Sequence, residues 1–249
     1  MKNRKHKELD AKNSKSDLQN PKYTEGGLIA FAPTFGKDTL KPILDSITDF
    51  DLAMRADPLS PLKNNIGEVQ AIQKIMGGRT YMGKYATKET FLAEAAKYRI
   101  IHLATHGKAD DRAGDYAFLA FQESNDSMDN ERLYVKDLYN CALNADLVVL
   151  SACETGVGKW QRGEGIISLA RAFAYAGTKS IVTTLWQIDD ARTKNLMELF
   201  YTHLKRGVTK DAALRQAKLD YLNTFKSAHA APFRWAGFIA IGDMEAMKK

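Results

Sequence analysis

Short apolar runs alternate along this chain with stretches whose apolar residues fall at helical spacing. Leu28 to Ala32 is the first run, stopped by Pro33, and it reads as a buried strand. Ile66, Val69, Ile72 and Met76 then recur at helical spacing, and Gly77-Gly78 ends that helix. A short strand through Tyr81 follows. Phe91, Leu92, Ala95 and Ala96 mark a second helix, with Thr87 as its cap. Arg99 to Thr105 is a mostly apolar run with β-branched residues, and it closes at His106-Gly107. Tyr116 to Phe121 reads as a strand, and Val135 to Tyr139 as a turn or two of helix. Asp146 to Leu150 is the clearest buried strand, running into Ser151-Ala152-Cys153. Beyond a glycine-rich loop (Gly156, Gly158, Gly163, Gly165), Ile166, Leu169, Ala170, Phe173 and Ala174 form a helical stripe ended by Gly177. Ser180 to Leu185 is the next strand. Leu196 to Leu204 and Leu214 to Phe225 define two more helices, and Phe238 to Ile241 a closing strand. Strands alternating with helices predict an α/β fold with a mostly parallel sheet and helices on both faces. Ligands of such sheets sit beyond the C-terminal ends of the strands.

Length and charge refine this picture. A chain of 249 residues suits one large domain with a tail. Residues 1–24 are polar and lysine-rich and carry +4 of the net +6, so they read as a basic disordered arm or linker. Residues 25–249 form the expected domain. Its near neutrality argues against direct nucleic-acid binding. Two cysteines, Cys141 and Cys153, do not make a disulfide framework, which points to a reducing cytoplasm. No apolar stretch reaches the roughly 18 residues of a membrane span. The Asn125-Asp126-Ser127 match to a glycosylation acceptor has no meaning in that compartment.

Two reactive side chains close apolar strands: His106 and Cys153. A thiol nucleophile needs exposure, ready ionisation and a group that protonates the leaving amine. A histidine at the end of a neighbouring strand meets the last need. The backbone N–H groups of Gly107 and Cys153 are then natural oxyanion donors, and Gly107 lets a substrate backbone come close. His106 precedes Cys153 by 47 residues, near the spacing of about 50 found in caspases. Cys141 reads instead as a small buried hydrophobe. His102 reads as a satisfied core histidine and His203 as a packing residue, while His6 and His229 have no supporting context. The segment Gly156-Val157-Gly158-Lys159-Trp160 is no phosphate loop, because Cys153 and Trp160 stand where that motif needs Gly and Ser/Thr. No Cys/His spacing fits a zinc site.

The residues also resemble a known family. Ile101-His-Leu-Ala-Thr-His-Gly107 is similar to the histidine motif of CHAT domains, caspase-like domains found with tetratricopeptide repeats. Val148-Val-Leu-Ser-Ala-Cys-Glu-Thr-Gly156 resembles their cysteine motif. Gly163-Glu-Gly165, Leu169 to Phe173, Ala176-Gly177, Thr184 to Asp190 and Trp235 to Asp243 continue the likeness in order, and Glu68-Val69 fits its N-terminal part. The resemblance covers roughly residues 25–245. It implies a caspase-like three-layer sandwich and a cysteine endopeptidase that needs no metal or cofactor. Cys153 would attack the scissile carbonyl and His106 would protonate the leaving amine. The stretch Leu185-Trp186…Asp189-Asp190 looks like the separase segment that helps form the S1 pocket. By that analogy Asp190, or else Asp189, reads Arg or Lys at P1, with Trp186 and Glu154 shaping the substrate site. Asp189 and Asp190 equally suit the start of the following helix, where they favour its dipole. Glu154 equally suits a solvated or structural role.

The resemblance further implies a latent enzyme, switched on by a regulatory protein or an upstream repeat module of the tetratricopeptide type. Its substrate would be protein, with no membrane partner. The competing reading is a catalytically silent module that holds a peptide in the same crevice. A third is a peptidase switched on by a partner bound to nucleic acid.

Overall fold

The computed structural model describes residues 26–35, 59, 61–108, 117–122, 131–151, 164–186, 188, 190–225 and 230–247. Nine strands are described. β1 (Gly26–Ala32), β2 (Arg79–Met82), β3 (Tyr98–Leu103), β7 (Leu147–Leu150), β8 (Ser180–Thr184) and β9 (Phe238–Gly242) form the main sheet, in the order β2-β1-β3-β7-β8-β9. All neighbours in it are parallel except β8 and β9. β4 (Gly107–Lys108), β5 (Phe118–Ala120) and β6 (Arg132–Tyr134) form a separate antiparallel sheet. The helices are α1 (Asn65–Met76), α2 (Lys88–Glu94), α3 (Val135–Leu138), α4 (Glu164–Tyr175), α5 (Asp190–Lys205) and α6 (Lys210–Thr224).

The period-two alternation of side chains along each strand builds the layers. Ile29, Phe31, Ile101, Leu103, Val148, Leu150 and Ile181 face one way, onto Phe91 of α2, Leu138 of α3 and Leu169 and Phe173 of α4. Leu28, Ala30, Ile100, Leu147, Val149 and Val182 face the other way, onto Val69 and Ile72 of α1, Phe200 and Tyr201 of α5, and Leu214 and Tyr221 of α6. Burial on both faces is why these strands read as continuous apolar runs.

Each helix and main-sheet strand expected from the pattern is present, and Thr87 caps α2 by accepting a hydrogen bond from the Thr90 N–H. The Gly77-Gly78 stop is enforced by contact. Gly78 has φ +90°, and a Cβ there would collide with the Leu28 carbonyl. Two findings differ from the sequence reading. The run ending at Phe121 belongs to the small sheet, not the parallel one, because periodicity reports burial and not the strand's partner. The two-residue β4, the three-residue β6 and the 3₁₀ turn Pro232–Arg234 are too short to leave a periodic signal.

At the end of the sheet away from His106, Asp146 gathers three strands. Its carboxylate takes Arg99 Nε at 2.6 Å and Lys179 Nζ at 2.7 Å, its N–H donates to the Arg99 carbonyl, and its carbonyl accepts from Ser180 Oγ. Burial alone would raise the Asp146 pKa, but the hydrogen bonds from Lys179 and Arg99 outweigh it and leave the carboxyl below the usual 3.8. A depressed carboxyl pKa contributes stability above the unfolded value, and that contribution is lost as pH falls through the folded one. Asp146→Asn is therefore expected to cost about 1–3 kcal/mol near neutral pH. The wild-type advantage should shrink below about pH 4. Urea melts of both proteins at pH 7 and pH 3 check this, and a pH-independent difference would rule out the charge as the cause.

Candidate active site

His106 lies three residues beyond the last residue of β3, at the C-terminal end of the sheet. Its backbone is fixed on several sides. The Thr105 hydroxyl donates to the Ala120 carbonyl, and the Ala120 N–H donates to the His106 carbonyl at 2.8 Å. The small sheet thus begins at the histidine. The bond from Ala120 to His106 makes Gly107 and Leu119 a pair that exchanges no ladder bonds, so the Gly107 N–H is directed away from β5. That orientation suits a donor to a developing oxyanion. The imidazole is 1% exposed and packs against the Phe35 ring, with centroids 4.8 Å apart.

Asn65, the first residue of α1, is 3% exposed. Its side-chain amide donates to the Pro33 carbonyl at 2.7 Å and to the Ala104 carbonyl at 3.2 Å. One amide therefore ties the exits of β1 and β3, the strands that deliver Phe35 and His106. The sequence offered no sign of this role. Asn65 follows residues 33–64, which hold four of the six prolines and show no periodicity.

β7 stands beside β3, with Leu103 paired to Leu150 and the Ser151 N–H donating to the Leu103 carbonyl at 3.1 Å. Ser151 is the last described residue of that chain exit. Cys153 and Glu154 lie outside the described residues, as does Asp189. Asp190 is the first residue of α5, in keeping with a helix-start role, and its side chain lies outside the described set.

Trp186 sits just past β8, at the same end of the sheet. Its ring is partly exposed, packs on the α5–α6 side of the core and donates Nε1–H to the Phe233 carbonyl at 2.7 Å.

Among the described residues, His102, His203 and Cys141 make structural contacts. His102, on the opposite face of β3 from the Ile101 and Leu103 side chains, is fully buried. Its Nε2 lies 3.0 Å from Glu68 Oε1 and its Nδ1 3.1 Å from the Tyr201 hydroxyl. Burial, with the Glu68 charge adding to it, pushes the Tyr201 phenol well above its usual pKa. His203 does more than pack: its Nε2 meets Asp220 Oδ2 at 2.6 Å and links α5 to α6. The Cys141 thiol is half-buried and packs on the core. Burial, then the Asp137 charge, raises its pKa, which makes it a slow nucleophile.

The architecture is that of a caspase-like α/β sandwich. The structure superimposes on gingipain R (RgpB), an Arg-specific cysteine proteinase, with TM-score 0.53 at 10% sequence identity, covering 91% of this chain and 48% of that one. Residues 8–243 match the CHAT domain family, and the chain belongs to it. Tetratricopeptide repeat protein 28 of Mus musculus is 25% identical over 213 residues, covering 73% of this chain and 9% of that protein. The Homo sapiens protein of the same name is also 25% identical, with 73% and 8% covered. The chain thus spans less than a tenth of the curated relatives it matches. Among the described residues no helix is long and apolar enough to cross a membrane.

Proposed function

We propose that this CHAT domain is a cysteine endopeptidase in which Cys153 is the nucleophile and His106 the general acid–base. The observation that carries the reading is the register of β3 and β7. His106 and Cys153 each follow, by three residues, one member of the Leu103–Leu150 pair of adjacent parallel strands. Neighbouring strands stand about 4.8 Å apart, so the strand exits that lead to the two residues open side by side at one end of the sheet.

In this reading His106 takes the thiol proton, Cys153 Sγ adds to the scissile carbonyl carbon, and the carbonyl oxygen takes the electron pair towards the Gly107 and Cys153 N–H groups. The carbon–nitrogen bond then breaks, with His106 giving a proton to the amine. Water, deprotonated by the same imidazole, hydrolyses the thioester and restores the thiol. Asp190, with Asp189 as second choice, reads a basic P1 side chain, Trp186 lines its pocket, and Glu154 borders the site.

The burial of His106 beneath Phe35 supports a latent form, since a polypeptide must reach the imidazole. Activation by a regulatory protein or by a repeat module, as the tetratricopeptide-repeat relatives suggest, is the expected release. The test is intact-mass labelling with a peptidyl acyloxymethyl ketone carrying P1 Arg, with candidate activating proteins added. One adduct, lost in Cys153→Ala and absent from the slow Cys141 thiol, is the expected result. An absence of adduct with every P1 residue and every activator tried would leave the silent peptide-holding module as the better reading.

A further inference from the structure

Gly237 precedes β9, and the Trp186 indole lies directly on it. A Cβ at position 237 would stand 2.7 Å from Trp186 Cε2 and 3.0 Å from both Cδ2 and Nε1. No side chain fits there unless the ring moves. The same glycine accepts a hydrogen bond from the Leu185 N–H at 2.9 Å, and four residues earlier the Phe233 carbonyl takes the indole N–H. The ring is therefore held by its face and by its polar edge, both from the 233–237 segment.

That segment is in turn held by α6. Lys218 Nζ donates to the Phe238 carbonyl at 2.6 Å and to the Ala236 carbonyl at 3.3 Å, one on each side of Gly237. Burial pushes the Lys218 ammonium below its ordinary pKa, the cost of placing a cation under a turn. β8 is two strands from β3 in the sheet. The strand exits that lead to Trp186 and His106 thus stand about 10 Å apart at the same end of the sheet by strand spacing, comparable to the reach of one extended residue's backbone and side chain.

We propose that Gly237 and Lys218 are positioning residues that hold the Trp186 indole as the wall of a substrate side-chain pocket beside His106. This rests on the peptidase reading for its site but not for its test. A flat ring fixed in advance favours a side chain with a planar cation, such as arginine, over a lysine of equal charge. Fixing it before substrate arrives removes an ordering cost from binding.

The experiment has two readouts. The first is ¹⁹F NMR of the 5-fluorotryptophan-labelled Cys153→Ala chain, with the Trp186 resonance assigned by its loss in Trp186→Phe. It is titrated with blocked tripeptide amides carrying Arg, Lys or norleucine at P1. The Arg peptide should move the Trp186 resonance. Gly237→Ala and Lys218→Met should each weaken that binding by about tenfold or more, and Lys218→Arg should restore most of it. The second is ketone labelling of the Cys153 chain. The same variants should weaken the inhibitor's binding constant and leave its maximal inactivation rate within about twofold. A Trp186 resonance indifferent to all three peptides, in a chain that labels normally, overturns the proposal and leaves the peptidase reading intact. So does an equal fall of binding constant and inactivation rate in folded variants, which is what a merely structural role would give. A Trp186 resonance that responds and depends on Gly237, in a chain that never labels, sustains the pocket and removes the peptidase.

Discussion

Under the peptidase reading, His106→Ala should fold and lose peptide-bond hydrolysis by about 10²–10⁴-fold, the range that a positioned acid–base group contributes. Folding is expected to survive because the histidine's place is fixed by its backbone. Its carbonyl is held by the Ala120 N–H, and the neighbouring Thr105 hydroxyl is held by the Ala120 carbonyl. What the truncation removes is the ring contact with Phe35 and the proton carrier. The packing loss is of the ordinary size for one core contact, about 1–2 kcal/mol. The catalytic loss is larger because an amine is expelled from a tetrahedral centre only as it gains a proton, and in this reading His106 is the group that gives it. The measurement is turnover of an activated wild-type and variant protein on one fluorogenic peptide, with melting temperatures alongside. A variant that melts normally yet keeps more than about a tenth of the wild-type rate would remove His106 from the mechanism.

The reach of the sequence can be judged from particular residues. The β1, β3, β7 and β8 runs were legible because burial on both faces leaves them rich in apolar and β-branched residues. The candidates at their ends were legible because His106-Gly107 and Cys153 interrupt those runs abruptly. Their anchors were not. Asn65 acts through two carbonyls, Pro33 and Ala104, that are 32 and 39 residues away, and a carbonyl has no signature in a sequence. Gly237 looked like any glycine before a strand, and its meaning appears only when the Trp186 ring is found on it. His203 looked like packing because its partner, Asp220, belongs to the next helix. The small sheet escaped notice for a related reason: its outer strands are two and three residues long, too short to repeat the two-residue period of a strand more than once.

Breaking the buried Glu68–His102 pair should cost more stability than any other change considered. Glu68 is 2% exposed and His102 is 0% exposed, and they join α1 to the central strand, with the Tyr201 hydroxyl reaching in from α5. Truncating one partner leaves a cavity and a buried polar side chain without its neighbour, a combined loss of about 3–5 kcal/mol. Glu68→Ala is therefore expected to shift the urea midpoint strongly, and His102→Ala to do the same. Replacing both partners by apolar residues of similar bulk, Glu68→Met with His102→Phe, should recover most of the loss, because no buried polar atom is then left without its neighbour. With Glu68→Met and His102→Phe also measured singly, a polar link shows as two single losses that the double variant does not carry, whereas independent packing losses would add. Function gives the second readout. Glu68 lies one turn along α1 from Asn65, and His102 lies two residues before Ala104, whose carbonyl that asparagine holds. The apolar pair restores the packing of α1 on β3 and with it the exit that carries His106. Under the peptidase reading it should therefore keep the labelling rate of Cys153 close to wild type, whereas each single variant lowers that rate at temperatures well below its melting point. Full stability without labelling in the double variant would instead assign the buried pair a direct part in the site's electrostatics.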